Sequence, residues 1–203
     1  MVKTECEHQS IILQYLYYSF LIQTMTAREM AMILIKDSHE TLEGTMADVN
    51  DEVANNQPGG KMLSVAAAYA HVVFSEDMML NGMLRKTPML VDQGWAGKMG
   101  LSEPHPAMTE SWEKDFAQWT KNLRVEISKL QEYGKAVYEQ TSQYLMNLTD
   151  EEFENGKVDL SGWGMGDYPV WQFFHRFIIG HADNLSGEIS AAKGLQNLKG
   201  YPF

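Results

Sequence analysis

Two histidines, His71 and His181, have the residue type and the surroundings that could bind a transition metal. Each lies on an apolar stripe of a predicted helix, where a neutral imidazole presents a nitrogen lone pair that zinc or nickel accepts. The same pattern is also typical of core histidines that are paired by hydrogen bonds. The sequence therefore leaves two interpretations open, a metal site between two helices and a pair of structural core residues.

Helical periodicity dominates the chain and defines the elements that would position these histidines. Thr26 and Glu29 form a Ser/Thr-x-x-Glu capping box, which is typical of a helix start. Apolar residues then recur at three-, four- and seven-residue steps along one face. We see no convincing strand pattern. The sequence predicts four long helices and no sheet, with helices at residues 26–55, 64–84, 109–147 and 169–192.

The connections between these helices differ in length. Residues 86–107 contain three prolines and three glycines and form a long crossover, which in helical bundles allows parallel neighbours. A second capping box at Thr149 and Glu152 predicts a short helix before a glycine-rich connection. The predicted fold is an all-α four-helix bundle with a long crossover between helices 2 and 3.

The composition is that of an ordinary globular protein, with 44% hydrophobic and 21% charged residues among 203. This length allows one sizeable core. A formal net charge of −11 argues against a nucleic-acid partner, because phosphate binding needs a basic surface. Cys6 is the single cysteine and offers no sign of an oxidising compartment. We therefore expect a cytoplasmic protein.

Residues 11–22 form an apolar run, IILQYLYYSFLI, ahead of the predicted bundle. Glu5 and Glu7 precede it instead of a basic cluster, and the run is shorter than the roughly 20 residues of a membrane span. We expect no membrane partner and an extra N-terminal helical segment within residues 1–24. This segment would pack on the bundle domain, residues 25–203, or in the twofold interface of a homodimer.

Two segments carry a resemblance to a known family. The last helix and tail read GHADNLSGEISAAKGLQNLKGYPF from Gly180, and the second helix reads AAAYAHVVFSEDMMLNGML from Ala66. Both resemble the corresponding helices of DinB-like proteins, and the resemblance covers about residues 25–203. It implies a four-helix bundle, often dimeric, in which one histidine of helix 2 and two ligands of helix 4 hold a divalent metal. Some relatives are transferases or isomerases that use thiols such as mycothiol or bacillithiol.

Mapped onto this sequence, the resemblance makes His71 the helix 2 ligand and His181 the first helix 4 ligand. Two ligands on one helix must lie four residues apart to share a face, and the second position is Leu185, which cannot bind a metal. Glu188 returns to the same face but lies about 10 Å further along the helix axis. Asp183 points to a different face. The implied cofactor is zinc or nickel, held by an incomplete ligand set.

Other candidate residues receive plainer interpretations. Glu76 and Asp77 are interpreted as surface or capping residues. His175 is six residues before His181 and lies on a different face of the helix, so it is not a substitute ligand. The remaining histidines are expected on the solvent side: His8, His39 and His105. A group of aromatic residues could line a pocket between helices but is more typical of a core: Trp112, Trp119, Trp163, Tyr168 and Trp171.

Two functional classes follow from the resemblance and from the residues at the implied ligand positions. The first is a metal-dependent enzyme of the thiol transferase kind, in which a divalent ion lowers the pKa of a thiol or water. The second is a non-catalytic bundle that has lost its metal and binds a small molecule or serves as a structural dimer. The histidine pair favours the first class, and Leu185 favours the second.

Overall fold

Residues 25–203 are described by a computed structural model. The expected N-terminal segment, residues 1–24, lies outside these residues, and the homodimer stays a prediction. The described part contains α1 Ala27–Met46, α2 Asp51–Asn55, α3 Val65–Asp77, a π-helix Met78–Arg85, a 3-10 helix Leu90–Gln93, α4 Trp112–Asn122, α5 Ile127–Asn147, α6 Asp150–Asn155, β1 Lys157–Asp159, a 3-10 helix Ser161–Trp163, β2 Asp167–Pro169, α7 Val170–Phe173, a π-helix Phe174–Ile179 and α8 Gly180–Gly194.

Four of these helices form the bundle. Helices α1 and α3 each pack against both α5 and α8. The long segment between Arg85 and Trp112 contains one short 3-10 helix and leads to α4, which precedes the third bundle helix, α5. The predicted all-α four-helix bundle with its crossover is therefore confirmed. No helix of the described residues is long and apolar enough to cross a membrane.

Both predicted capping boxes begin helices. The Thr26 hydroxyl accepts from the backbone N–H of Glu29, whose carboxylate accepts from the backbone N–H of Thr26. Thr149 and Glu152 make the same reciprocal pair at the start of α6. Such pairs satisfy two backbone donors that a helix start otherwise leaves without partners, so both helices begin where the sequence predicts.

Two of the predicted helices are broken by polar side chains. The first ends at Met46, and α2 begins only after Asn50, whose side chain accepts from the backbone N–H of Val53. The third is divided into α4 and α5 at Val125. There the Asn55 side chain donates to the Val125 carbonyl at 2.9 Å and accepts from its N–H at 2.8 Å. An extended residue held in this way cannot continue a helix.

The prediction of no sheet is wrong at one place. Strands β1 and β2 form a two-stranded antiparallel hairpin, with Val158 opposite Tyr168. The glycine-rich connection makes this possible, because Gly164 and Gly166 adopt φ angles of 72° and 62° that suit glycine. Val158 is buried below the hairpin. The hairpin lies beside the bundle and leaves its architecture unchanged.

Two bundle helices contain π-helical stretches, one beginning seven residues after His71 and the other ending two residues before His181. Helix α3 continues as the π-helix Met78–Arg85, and the π-helix Phe174–Ile179 leads directly into α8. A π-turn contains one residue more than the α-turn it replaces, and such turns occur frequently at functional sites.

Helix α3 is buried on nearly all sides. Of its thirteen residues, VAAAYAHVVFSED, eleven are buried, and the two exceptions are His71 and Phe74. A helix that is apolar all round belongs in the centre of a protein. Polar groups on α3 therefore face other parts of the protein and must be paired there.

Candidate functional site

His71 and His181 face each other across the interface of α3 and α8. Their ring centroids lie 5.2 Å apart, and the ring planes are nearly perpendicular, at 84°. Both side chains are partly buried. The structure thus brings together the two residues that the sequence analysis assigned to one site.

His105 joins them from the crossover. Its Nε2 lies 3.2 Å from Nδ1 of His71, and its ring stacks on Phe74 at a centroid distance of 4.1 Å. The expectation that His105 is solvent-exposed is wrong, because only 9% of its surface is accessible. The two prolines that flank it, Pro104 and Pro106, restrict the backbone, and this part of the crossover folds back over α3.

Aromatic side chains of α4 form the wall around these histidines. Phe116 lies 4.9 Å from His71, and Trp119 lies 4.8 Å from His105, both measured between ring centroids. Trp112 stacks on Phe116 at 4.9 Å. Trp163 and Trp171, in contrast, are exposed. Two of the four tryptophans, Trp112 and Trp119, therefore pack around the histidines, which have an apolar, aromatic environment.

This environment favours neutral imidazoles. Burial, together with the nearby imidazoles of His181 and His105, lowers the pKa of His71 to about 3. Burial lowers the pKa of His105 to about 4, although the hydrogen bond to the Pro106 carbonyl raises it. Burial also lowers the pKa of His181, against the influence of the Glu76 carboxylate. All three rings are therefore neutral at physiological pH.

The low pKa of His105 predicts an effect on stability. Its pKa is about 4 in the folded chain and about 6.5 in the unfolded chain, which therefore binds more protons between these values. The unfolding free energy must fall as the pH drops through this window, by about 2 kcal/mol from pH 7 to pH 5 for this group. Urea unfolding measures the unfolding free energy at both pH values. Its fall between pH 7 and pH 5 should be about 2 kcal/mol smaller in His105→Gln than in the native chain.

The matched control is the exposed His175. The unfolding free energy of His175→Gln should depend on pH in the same way as that of the native chain. Equal losses in His105→Gln and the native chain would contradict a buried neutral His105.

Glu76 is buried beside this site, whereas the sequence suggested a surface or capping residue. Only 2% of its surface is accessible. One carboxylate oxygen lies 2.9 Å from Nε2 of His39, and the other accepts from the Thr141 hydroxyl at 2.5 Å. His39 is buried as well, so its expected solvent exposure is also wrong. Glu76 is buried because α3 has no solvent-facing side, and His39 of α1 is buried because its ring faces Glu76.

A second carboxylate, that of Glu43 on α1, adds to this polar network. Glu43 accepts from the Tyr69 hydroxyl at 2.5 Å and from the Tyr138 hydroxyl at 3.0 Å. Burial raises the pKa of both tyrosines, and the Glu43 charge raises it further, so both hydroxyls keep their protons and donate. His39 stacks on Tyr138 at 4.0 Å. The network thus ties α1, α3 and α5 together behind the histidine site.

Asp77, which the sequence suggested to be a surface or capping residue, is completely buried and anchors the crossover. Its carboxylate accepts from the backbone N–H groups of Leu90 and Val91 at 2.9 and 3.1 Å. It also accepts from the Asn81 amide at 2.7 Å and from the Tyr133 hydroxyl at 2.5 Å. Four donors satisfy this carboxylate, and two of them fix the start of the crossover that carries His105.

The position of the expected third ligand offers no donor atom. Leu185 lies in the apolar core with 6% of its surface accessible. Glu188 and His175 are exposed, and the exposed Asp183 accepts from the Ser38 hydroxyl. Within residues 25–203, no group of three or more His, Cys, Asp or Glu side chains is arranged to hold a metal ion. The two facing imidazoles of His71 and His181 are therefore the nitrogen donors that the structure brings together here.

Comparison with known proteins supports the fold. The model of the DinB superfamily matches residues 34–183. Among solved structures, the chain is similar to a conserved protein from Enterococcus faecalis, with 23% identity, a TM-score of 0.68 and coverage of 85% of this chain and 98% of that chain. It is also similar to a protein from Streptococcus pneumoniae, with 14% identity, a TM-score of 0.57 and coverage of 88% and 96%. No curated protein matches the chain.

Proposed function

Because this chain belongs to the DinB superfamily, whose model covers residues 34–183, we propose that it is a metal-dependent enzyme of the thiol transferase kind with an incomplete set of metal ligands. The observation that carries the proposal is the pair of partly buried imidazoles, His71 and His181, with ring centroids 5.2 Å apart on neighbouring helices. Zinc or nickel would be held by these two residues.

The protonation state of the two imidazoles supports this role. A histidine must be neutral to bind a metal, and a proton that has to leave weakens the binding. Burial lowers the pKa of both His71 and His181. Their lone pairs are therefore available throughout the physiological pH range without a cost for deprotonation.

The incomplete ligand set determines what else could bind. With Leu185 in place of a third ligand, most of the coordination shell is left to water or to a substrate thiol. A bound divalent ion would lower the pKa of such a thiol and so supply a thiolate at neutral pH. The aromatic wall of Trp112, Phe116 and Trp119 would exclude water from one side of the site and contact apolar parts of a substrate.

A second candidate function is a metal-free bundle that binds a small molecule. Leu185 favours it, because an apolar side chain fills the position of the third ligand. A cavity of about 600 Å³ next to the site also favours it. This cavity is lined by Phe116 and Thr120 of α4 and by the loop at residues 57–63. Its walls would contact an organic ligand without any help from a metal.

Metal titration of protein purified without an affinity tag separates the two candidates. We expect the native chain to bind zinc or nickel weakly in calorimetric titrations, with an affinity at least about tenfold lower in His71→Gln and in His181→Gln. The matched control is His175→Gln, which removes an exposed histidine six residues before His181 and should bind like the native chain. With cobalt as the ion, an added thiol should produce a sulfur-to-metal charge-transfer band.

Two outcomes would contradict the metal-dependent proposal. If the native chain binds neither zinc nor nickel, the metal-free candidate takes its place. If His71→Gln and His181→Gln bind as tightly as the native chain, the metal occupies another part of the surface.

A further inference from the structure

A chain of hydrogen bonds runs from the crossover to His71. It begins at the Pro106 carbonyl, which lies 3.0 Å from Nδ1 of His105. A carbonyl oxygen only accepts, so Nδ1 of His105 must carry a proton and donate it. In a neutral ring the other nitrogen, Nε2, then has a free lone pair. This lone pair faces Nδ1 of His71 at 3.2 Å.

The geometry between the two rings is that of an in-line hydrogen bond. The centroids of His71 and His105 lie 5.5 Å apart, and the ring planes differ by only 9°. This centroid distance equals the 3.2 Å nitrogen separation plus one ring radius at each end, so both nitrogens lie on the line between the centroids. If the two rings were ligands of one metal ion, both lone pairs would point at the ion and not at each other.

The direction of this hydrogen bond follows from the surroundings of His105. A doubly protonated His105 would be a buried cation among Phe74, Trp112 and Trp119, which is unfavourable without a paired carboxylate. No carboxylate of the described residues forms an ion pair with His105. His105 is therefore neutral and accepts at Nε2, and Nδ1 of His71 is the donor. The Ser75 hydroxyl, 3.3 Å from the same Nδ1, can accept the same proton.

We propose that His105 is a positioning residue that fixes His71 in the tautomer with a proton on Nδ1 and a free lone pair on Nε2. The tautomer of a histidine is set by the hydrogen bond that its other nitrogen makes, and metal-binding histidines commonly rely on such a partner. The inference rests on the proposed function, because a lone pair fixed on Nε2 of His71 is useful only if His71 binds a metal. The hydrogen-bond chain itself does not depend on a metal.

Nitrogen NMR of the full chain with labelled histidines tests the proposal directly. In the native protein without metal, we expect His71 to be protonated on Nδ1 and unprotonated on Nε2. We also expect a coupling across the hydrogen bond between Nδ1 of His71 and Nε2 of His105. In His105→Phe the preference of His71 should weaken, because only the more distant Ser75 hydroxyl is left to accept from Nδ1, whereas the amide oxygen of His105→Gln should accept from Nδ1 and retain the preference. The His71→Gln variant assigns the signals.

A second readout is zinc affinity, which we expect to fall about tenfold to hundredfold in His105→Phe and to stay near the native value in His105→Gln. A native His71 with its proton on Nε2, or an unchanged tautomer in His105→Phe, would overturn the proposal. If His105→Phe does not fold, the coupling in the native chain and the tautomer in His105→Gln decide it. A native chain that binds no zinc would remove the proposed function, while the tautomer would still decide the role of His105.

Discussion

Leu185→His should raise the affinity of the chain for zinc or nickel about a hundredfold or more, which corresponds to about 3 kcal/mol. Position 185 lies four residues after His181 on α8, which is α-helical from Gly180 to Gly194. Side chains with this spacing lie on the same face of a helix, one turn apart. The variant would therefore offer three imidazoles in place of two, and each added protein ligand replaces a bound water.

The same replacement should destabilise the metal-free protein. Leu185 is buried in the core, and an imidazole in its place brings a polar group into an apolar environment at a cost of about 1–3 kcal/mol. Bound metal should offset this loss, because a ligand that binds only the folded state stabilises it. Thermal unfolding with zinc and with a chelator should therefore differ much more in Leu185→His than in the native chain.

The control for this variant is Leu195→His, because Leu195 is 63% exposed just after the end of α8. It adds the same residue type at the surface and should change neither the zinc affinity nor the stability appreciably. An unchanged affinity in Leu185→His would mean that position 185 does not face the space between His71 and His181. An equal gain in both variants would point to surface binding.

The second large effect is expected at Asp77. Asp77→Ala should lower the unfolding free energy by about 3–5 kcal/mol, because it leaves buried donors without an acceptor. These donors are the Asn81 amide, the Tyr133 hydroxyl and the N–H groups of Leu90 and Val91. The isosteric Asp77→Asn should also be destabilised, since its amide group would face some of these donors.

Urea unfolding measures this loss, and Asp92→Ala is the matched control. Asp92 is an exposed carboxylate in the part of the crossover that Asp77 holds. Its removal should change the unfolding free energy by no more than about 0.5 kcal/mol. A loss below about 1 kcal/mol in Asp77→Ala would show that the crossover does not depend on this carboxylate.

The bundle was predictable from the sequence because its signals are local. The capping boxes at Thr26 and Thr149 mark helix starts by side-chain hydrogen bonds that span only three residues. The breaks within the predicted helices were harder to foresee, since Asn55 acts on Val125 across seventy residues. The hairpin of β1 and β2 was missed because three-residue strands are too short to show an alternating pattern.

The candidate site was predictable only in part. His71 and His181 could be placed on facing stripes, and their rings lie next to each other. His105 was missed because its position depends on the path of the crossover, which no periodicity describes. The burial of Glu76 and Asp77 could have been predicted from the sequence. Helix α3 is apolar on all sides, so the charged residues at its end are expected to be buried with it.

The π-helix before α8 has a consequence for comparing this chain with its relatives. The π-helix Phe174–Ile179 holds one residue more than an α-helix of the same length. Compared with a continuous α-helix, the residues before it are therefore rotated about the helix axis by about 100° relative to His181. A relative that lacks one residue here could have an ordinary helix and still direct the same histidine to the same place. Alignments that forbid a gap inside this helix would then pair the upstream residues of the two proteins incorrectly.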